Sequence, residues 1–226
     1  MSTVQELKQK LVDAILMMER AQIIDFNGHF SARVPGTDHI LINSGASVRS
    51  ALTVDDIIAI DLDGKPVGDT RVPPMEYHIH TEIFRRRPDV HAVVHTHPLW
   101  SMVLSMAGHP VLPVIMQSAV MGEVRRFGKI TSINTKPLGE ALAEELGDNR
   151  IVTLKSHGAV IAAEGILEAF VLGVYLEETA QRQHLAMQVG TPTQLTAEEI
   201  VTIRNNLWKP HLLQKIWDYH HAKLHR

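Results

Sequence analysis

Cysteine is absent from all 226 residues. That removes disulfide frameworks and thiolate ligands together, so any metal ion must rest on histidine, carboxylate and water. Long apolar runs are missing too. Nothing approaches the roughly 18 residues a membrane helix needs, and the opening MSTVQELKQK has no apolar stretch of the secretory kind, so a cytoplasmic protein without a membrane partner is expected. Positive charge is not in excess, 22 Lys and Arg against 25 Asp and Glu, which leaves no basic footprint for nucleic acid. Nor is there a linker, an internal repeat or a low-complexity tract, and residues 1–226 are expected to form a single domain.

What the chain has in plenty is histidine, 14 in all. In VVHTHPLWS, His95 and His97 close an apolar run, and since side chains i and i+2 of a strand share a face, they can aim two imidazoles at one point. Alone, such a pair is a moderate signal, since two histidines on a strand can also form a polar patch. Downstream, LKSHGAV places His157 at the end of another apolar strand against Gly158, where the chain can turn sharply. Three neutral nitrogen ligands would leave a coordination position open for water or substrate, the pattern of a catalytic metal.

The surrounding periodicities place these residues. Val4, Leu7, Leu11, Ile15 and Met18 form a helical stripe, opened by Ser2 or Thr3 as a cap. GHFSARV, HILIN and DIIAIDLDGKPV read as strands, and VPPMEYHIHTEIFRRRPD as a helix entered through two prolines. On that helix Glu76 and His80, four apart, would share a face, with Glu76 in the first turn. A carboxylate there can act as a base or as a fourth ligand. PLWSMVLSMAG and TKPLGEALAEELGD read as helices, VLPVIM as a strand, and RIVTLKSHGAVIAA as two strands bent at SHG. Leu167 to about Val189 and Thr196 to about His225 are mostly helical. The result is an α/β chain with a strand-rich middle flanked by helices.

The ordered set Glu76, RPDVHAVVHTH and SHGAVIAAEGILEAF resembles the class II aldolase/adducin family, the group of fuculose-phosphate aldolase and ribulose-phosphate 4-epimerase. The resemblance implies a central, mostly antiparallel sheet between helical layers and a cyclic homotetramer with active sites at subunit interfaces. It also implies one divalent ion per subunit on His95, His97 and His157, usually zinc, with Glu76 as proton carrier. The residues alone leave manganese, iron, cobalt and magnesium open.

The chain departs from the sugar-phosphate members at their anion site. His29 stands where an asparagine is expected, NSGAS retains Ser44 and Gly45, and Pro74 and Met75 replace a serine pair before the glutamate. Each lost hydroxyl donor weakens a bound anion by about 1–3 kcal/mol. Arg33, Arg49 or His29 remain to meet a carboxylate. Gln117 falls near the family's proton-donating tyrosine, while Tyr219, His220 and His221 either reach a neighbouring subunit's site or form a solvated helix end. The expected substrate contacts are therefore His29, Ser44, Gly45, Met75, His80, Gln117, Tyr219 and His220. The resemblance, with its decarboxylase members that lack the serines, implies a carbon-carbon lyase, a decarboxylase or retro-aldolase. It would act through a metal-stabilised enolate on a small non-phosphorylated hydroxy-carbonyl or hydroxy-carboxylate. A sugar-phosphate aldolase or 4-epimerase is the alternative, ahead of a mononuclear iron oxygenase or a non-catalytic adducin-like assembly module.

Overall fold

A computed structural model describes residues 3–224. Its strands are β1 (His29–Arg33), β2 (Ile40–Asn43), β3 (Ile57–Ile60), β4 (Ala92–Thr96), β5 (Val124–Phe127), β6 (Ile151–Leu154) and β7 (Gly158–Ala163). They form one sheet in the order β3-β2-β1-β4-β7-β6-β5, antiparallel except where β5 pairs with β6. The helices are α1 (Val4–Arg20), α2 (His78–Arg86), α3 (Leu99–Met106), α4 (Lys136–Leu146), α5 (Ile166–Met187), α6 (Ala197–Leu207) and α7 (Pro210–His221).

Strand alternation sorts the core into two layers. Phe30, Ala32, Ala92, Val94, Ile161 and Ala163 pack with α1, α3, α5 and α7, whereas Val93, Val160, Ala162, Ile40 and Ile42 pack with α2 and α4. Burying one such aliphatic side chain contributes about 1.5–3 kcal/mol, so a one-residue slip of register, which would exchange the two sets, is strongly opposed. By the same parity His95 joins Val93 on the α2 side, as do His29 and Ser31 of β1. The register sets His29 opposite His95. Gly158 permits the adjoining approach of β7 to β4, since a Cβ there would stand 2.2 Å from the Thr96 carbonyl oxygen.

The antiparallel sheet between helical layers is the expected one, and three local readings change. VLPVIM is not a strand: Pro110 and Pro113 lack the N–H a ladder requires, and the segment passes into a 3-10 turn at Met116–Val120. The edge strand is β5 instead, whose VRRF sequence carries no apolar alternation. α2 begins only at His78, so Glu76 sits in the turn before the helix, where the Tyr77 N–H donates to the Pro74 carbonyl. α1 is capped by Thr3 in a reciprocal box with Glu6; Ser2, the other cap considered, and His225 lie outside the described residues. No helix among the described residues is long and apolar enough to cross a membrane.

Candidate metal centre and substrate cavity

His95 ends β4, His97 follows it by two residues, and His157 stands in the tight turn that joins β6 to β7. Each imidazole is held from behind. The Nδ1–H of His95 donates to the Ala159 carbonyl at 3.1 Å and that of His157 to the Thr131 carbonyl at 3.2 Å. His97 Nδ1 donates to the Asp25 carboxylate at 2.9 and 3.0 Å. A neutral imidazole that donates from Nδ1 keeps a bare lone pair on Nε2. All three rings therefore present Nε2 to one place.

This arrangement fits a cation. The Nε2 atoms of His95 and His97 are 3.0 Å apart, and two bare lone pairs cannot hydrogen-bond each other, so without a positive centre their approach is repulsive. His95, His97 and His157 offer ligand nitrogens within 4.8 Å of one another, and His29, Glu76 and His95 offer two nitrogens and a carboxylate oxygen within the same distance. Burial, then the neighbouring His95, pushes His97 and His157 below the usual imidazole range; the Asp25 carboxylate opposes this at His97. At neutral pH these rings are unprotonated, the form that binds a metal.

Glu76 enters from the turn before α2. Its Oε1 accepts from the Ser132 hydroxyl at 2.8 Å and the Ile133 N–H at 2.7 Å, which leaves Oε2 facing the group, 3.5 Å from His95 Nε2 and 3.7 Å from His157 Nε2. Burial alone would raise its pKa; a positive charge at the His95 position, together with the donors Ile133 and Ser132, outweighs it and lowers the carboxyl to about 2. Glu76 is thus ionised, with one oxygen fixed and one free.

Beside it opens a cavity of about 550 Å³, lined by Asn27, His29, Gly45, Arg49, the run Val72 to Glu76, and Ser132. The expected contacts His29, Gly45 and Met75 lie in this wall, but the Gly45 N–H is spent on the Val72 carbonyl at 2.9 Å. Ser44 is buried and does not line the cavity. His80 is fully buried behind His29 and bonded to its ring. Arg33 is committed to the carbonyls of Phe84 and Val90 and packs over the Phe84 ring. Arg49 does reach the wall: Nε donates to Gly28 and Nη1 to Ser44 and Ser47, while Nη2 donates to none of the described residues.

Gln117 lies on the 3-10 turn that packs against α5 and α6, outside this lining. Tyr219 is exposed on α7 beneath Lys223, and His220 packs on Phe170 and faces a separate cavity with Trp100 and Glu177. His221 stands 3.8 Å from Asp13. Within one chain none of these C-terminal residues lines the cavity beside Glu76. Sequence reasoning missed Asp25 and Ser132. Asp25 had a physical signal, since the distal N–H of a metal-binding histidine usually finds a carboxylate or carbonyl; Ser132, in a loop without periodicity, had none.

Residues 9–184 match the family described as Class II Aldolase and Adducin N-terminal domain, and the chain belongs to it. Among its relatives is a 5-methylthioribulose-1-phosphate/5-deoxyribulose-1-phosphate aldolase of Rhodospirillum rubrum, 31% identical over 175 residues, 76% of this chain and 77% of that one. A 3,4-dihydroxyphthalate decarboxylase of Arthrobacter keyseri is 27% identical over 167 residues, 68% of this chain and 67% of that one. The crystal structure of an aldolase II superfamily protein from Pseudomonas syringae superposes with a TM-score of 0.85 at 26% identity, covering 97% of this chain and 92% of that one. With aldolases and decarboxylases among its relatives, the chain is a lyase of the class II aldolase type.

Proposed function

We propose that the chain is a divalent-metal-dependent carbon-carbon lyase, a decarboxylase or retro-aldolase, acting on a small non-phosphorylated substrate that carries a hydroxyl beside a carbonyl or carboxylate. His95, His97 and His157 would hold the ion, zinc by family resemblance, whose bound form supplies Lewis acidity to an oxygen of the substrate. Glu76 takes the proton of the substrate hydroxyl on its free Oε2 and returns it to the carbon from which the carbon-carbon bond is broken. Its ionised resting state suits that order.

The observation that carries the choice of substrate is the cavity wall. Val72, Pro73, Pro74 and Met75 bring no hydroxyl, the Gly45 N–H is already spent, and Arg49 is the one cationic side chain of the lining. A guanidinium edge against an apolar wall suits a carboxylate on a compact or aromatic body. In this reading residues 1–226 form one domain, and the chain assembles as a cytoplasmic homotetramer with its sites at the interfaces. Exposed Phe26 and Ile130, close in sequence to Asp25 and Ser132, supply apolar surface for such contacts.

Calorimetric titration of the metal-loaded protein tests the substrate class. Hydroxy-carboxylates are expected to bind at least tenfold more tightly than inorganic phosphate or a ketose phosphate. Micromolar binding of a ketose phosphate with no response to hydroxy-carboxylates would place the chain with the sugar-phosphate aldolases and epimerases.

A further inference from the structure

Behind the cavity runs a row of buried polar side chains to which the lyase chemistry gives no part. His29, Ser31 and His80 are at most 1% exposed. Ser31 Oγ is 2.5 Å from His80 Nδ1, and His80 Nε2 is 2.6 Å from His29 Nδ1. Polar groups so deep persist when each bond is made, and the direction of these bonds follows from the inner end of the row. There the Val93 carbonyl, an acceptor only, lies 3.3 Å from Ser31 Oγ and also within hydrogen-bond reach of the His80 ring.

That acceptor draws hydrogens toward itself. The Ser31 hydroxyl donates to Val93, so its oxygen accepts from His80 Nδ1–H. A neutral His80 is then bare at Nε2 and accepts from His29 Nδ1–H. His29 in turn is bare at Nε2, the ring nitrogen left for the cavity that this residue lines with Glu76 and Arg49.

We propose that the Ser31, His80 and His29 row locks His29 as a hydrogen-bond acceptor in the substrate cavity, so that it selects a substrate hydroxyl beside the carboxylate held by Arg49 and turns away a phosphate dianion. An asparagine can rotate its amide to donate to an anion; a histidine with its proton tied at Nδ1 has only a lone pair to offer. The proposal deepens the lyase reading and rests on it for the identity of the ligand. The bond directions do not depend on that reading.

Two measurements separate the two. Nitrogen-15 spectra of the histidine-labelled, zinc-loaded protein, assigned with H29N and H80Q, are expected to show His29 and His80 protonated at Nδ1 and bare at Nε2. Protonation of His29 at Nε2 would overturn the proposal whatever the enzyme's reaction. The second measurement titrates wild type and H29N with salicylate, benzoate and inorganic phosphate. Metal chelation by the salicylate hydroxyl is common to both proteins, so the contribution of His29 is the change in the ratio. H29N is expected to keep its metal, to lose about tenfold in salicylate over benzoate, and to gain affinity for phosphate. An unchanged ratio, or loss of the ion from H29N, would overturn the acceptor role and in the second case make His29 a ligand. Failure of wild type to bind either carboxylate, with the tautomers as expected, would count against the lyase reading alone.

Discussion

At the scale of single residues, the chemistry depends on which atom of a side chain is already occupied. Glu76 illustrates this: Ser132 and Ile133 hold Oε1, and the other oxygen is free toward the histidines. Replacing Glu76 with glutamine keeps the shape and removes the proton acceptor. E76Q is therefore expected to retain fold and metal and to lose turnover by about 10²-fold or more, the usual size of a general acid-base contribution; steady-state kinetics with parallel metal analysis checks it. Unchanged kcat would end the assignment, and lost metal would recast Glu76 as a ligand. The four principal residues of the candidate site were legible because strand alternation and a glycine-flanked turn announce His95, His97 and His157, and family order adds Glu76. Their supports were not, because Asp25 and Ser132 come from loops far away in sequence, and only the folded chain shows which loop closes on which ring.

Among elements, the site depends on how closely β4 and β7 approach. A Cβ on residue 158 would stand 2.2 Å from the Thr96 carbonyl oxygen and 2.9 Å from the His97 ring, so β7 would have to move away and carry the His157 turn with it. Gly158→Ala is expected to lower stability by about 1–3 kcal/mol, as overpacking substitutions do, and to weaken metal binding as well. Urea denaturation and metal titration measure the two effects. A variant as stable as wild type with unaltered affinity would show that this packing does not position the site. Continuous apolar runs marked the central strands, which are buried on both faces, but β5 is an edge strand whose arginines interact with exposed carboxylates and a loop carbonyl, and no hydrophobic period reports it. Prolines at 73 and 74 read as the entry to a helix; they instead build the cavity wall, and α2 starts four residues beyond Pro74.

For the whole molecule, the two-layer packing of helices on one sheet brings β1, β4 and the β6-β7 turn to one side, which is why residues as distant as His29, Glu76, His97 and His157 meet. The strand order was not legible from periodicity, which gives elements but not their order in a sheet; the resemblance implied a mostly antiparallel sheet between helical layers, and the structure has one. Assembly is the next level. Sedimentation velocity is expected to give a species four times the 25.2 kDa chain, and a monomer that is fully active in isolation would contradict interface sites. All of this chemistry depends on the ion, and elemental analysis of wild type beside the His95→Ala, His97→Ala and His157→Ala variants measures it. One divalent ion per chain is expected in wild type, with occupancy reduced at least tenfold in each variant. Full occupancy in the His157→Ala protein, or a wild type that binds no divalent ion at micromolar concentration, would show that the three histidines do not form a metal site.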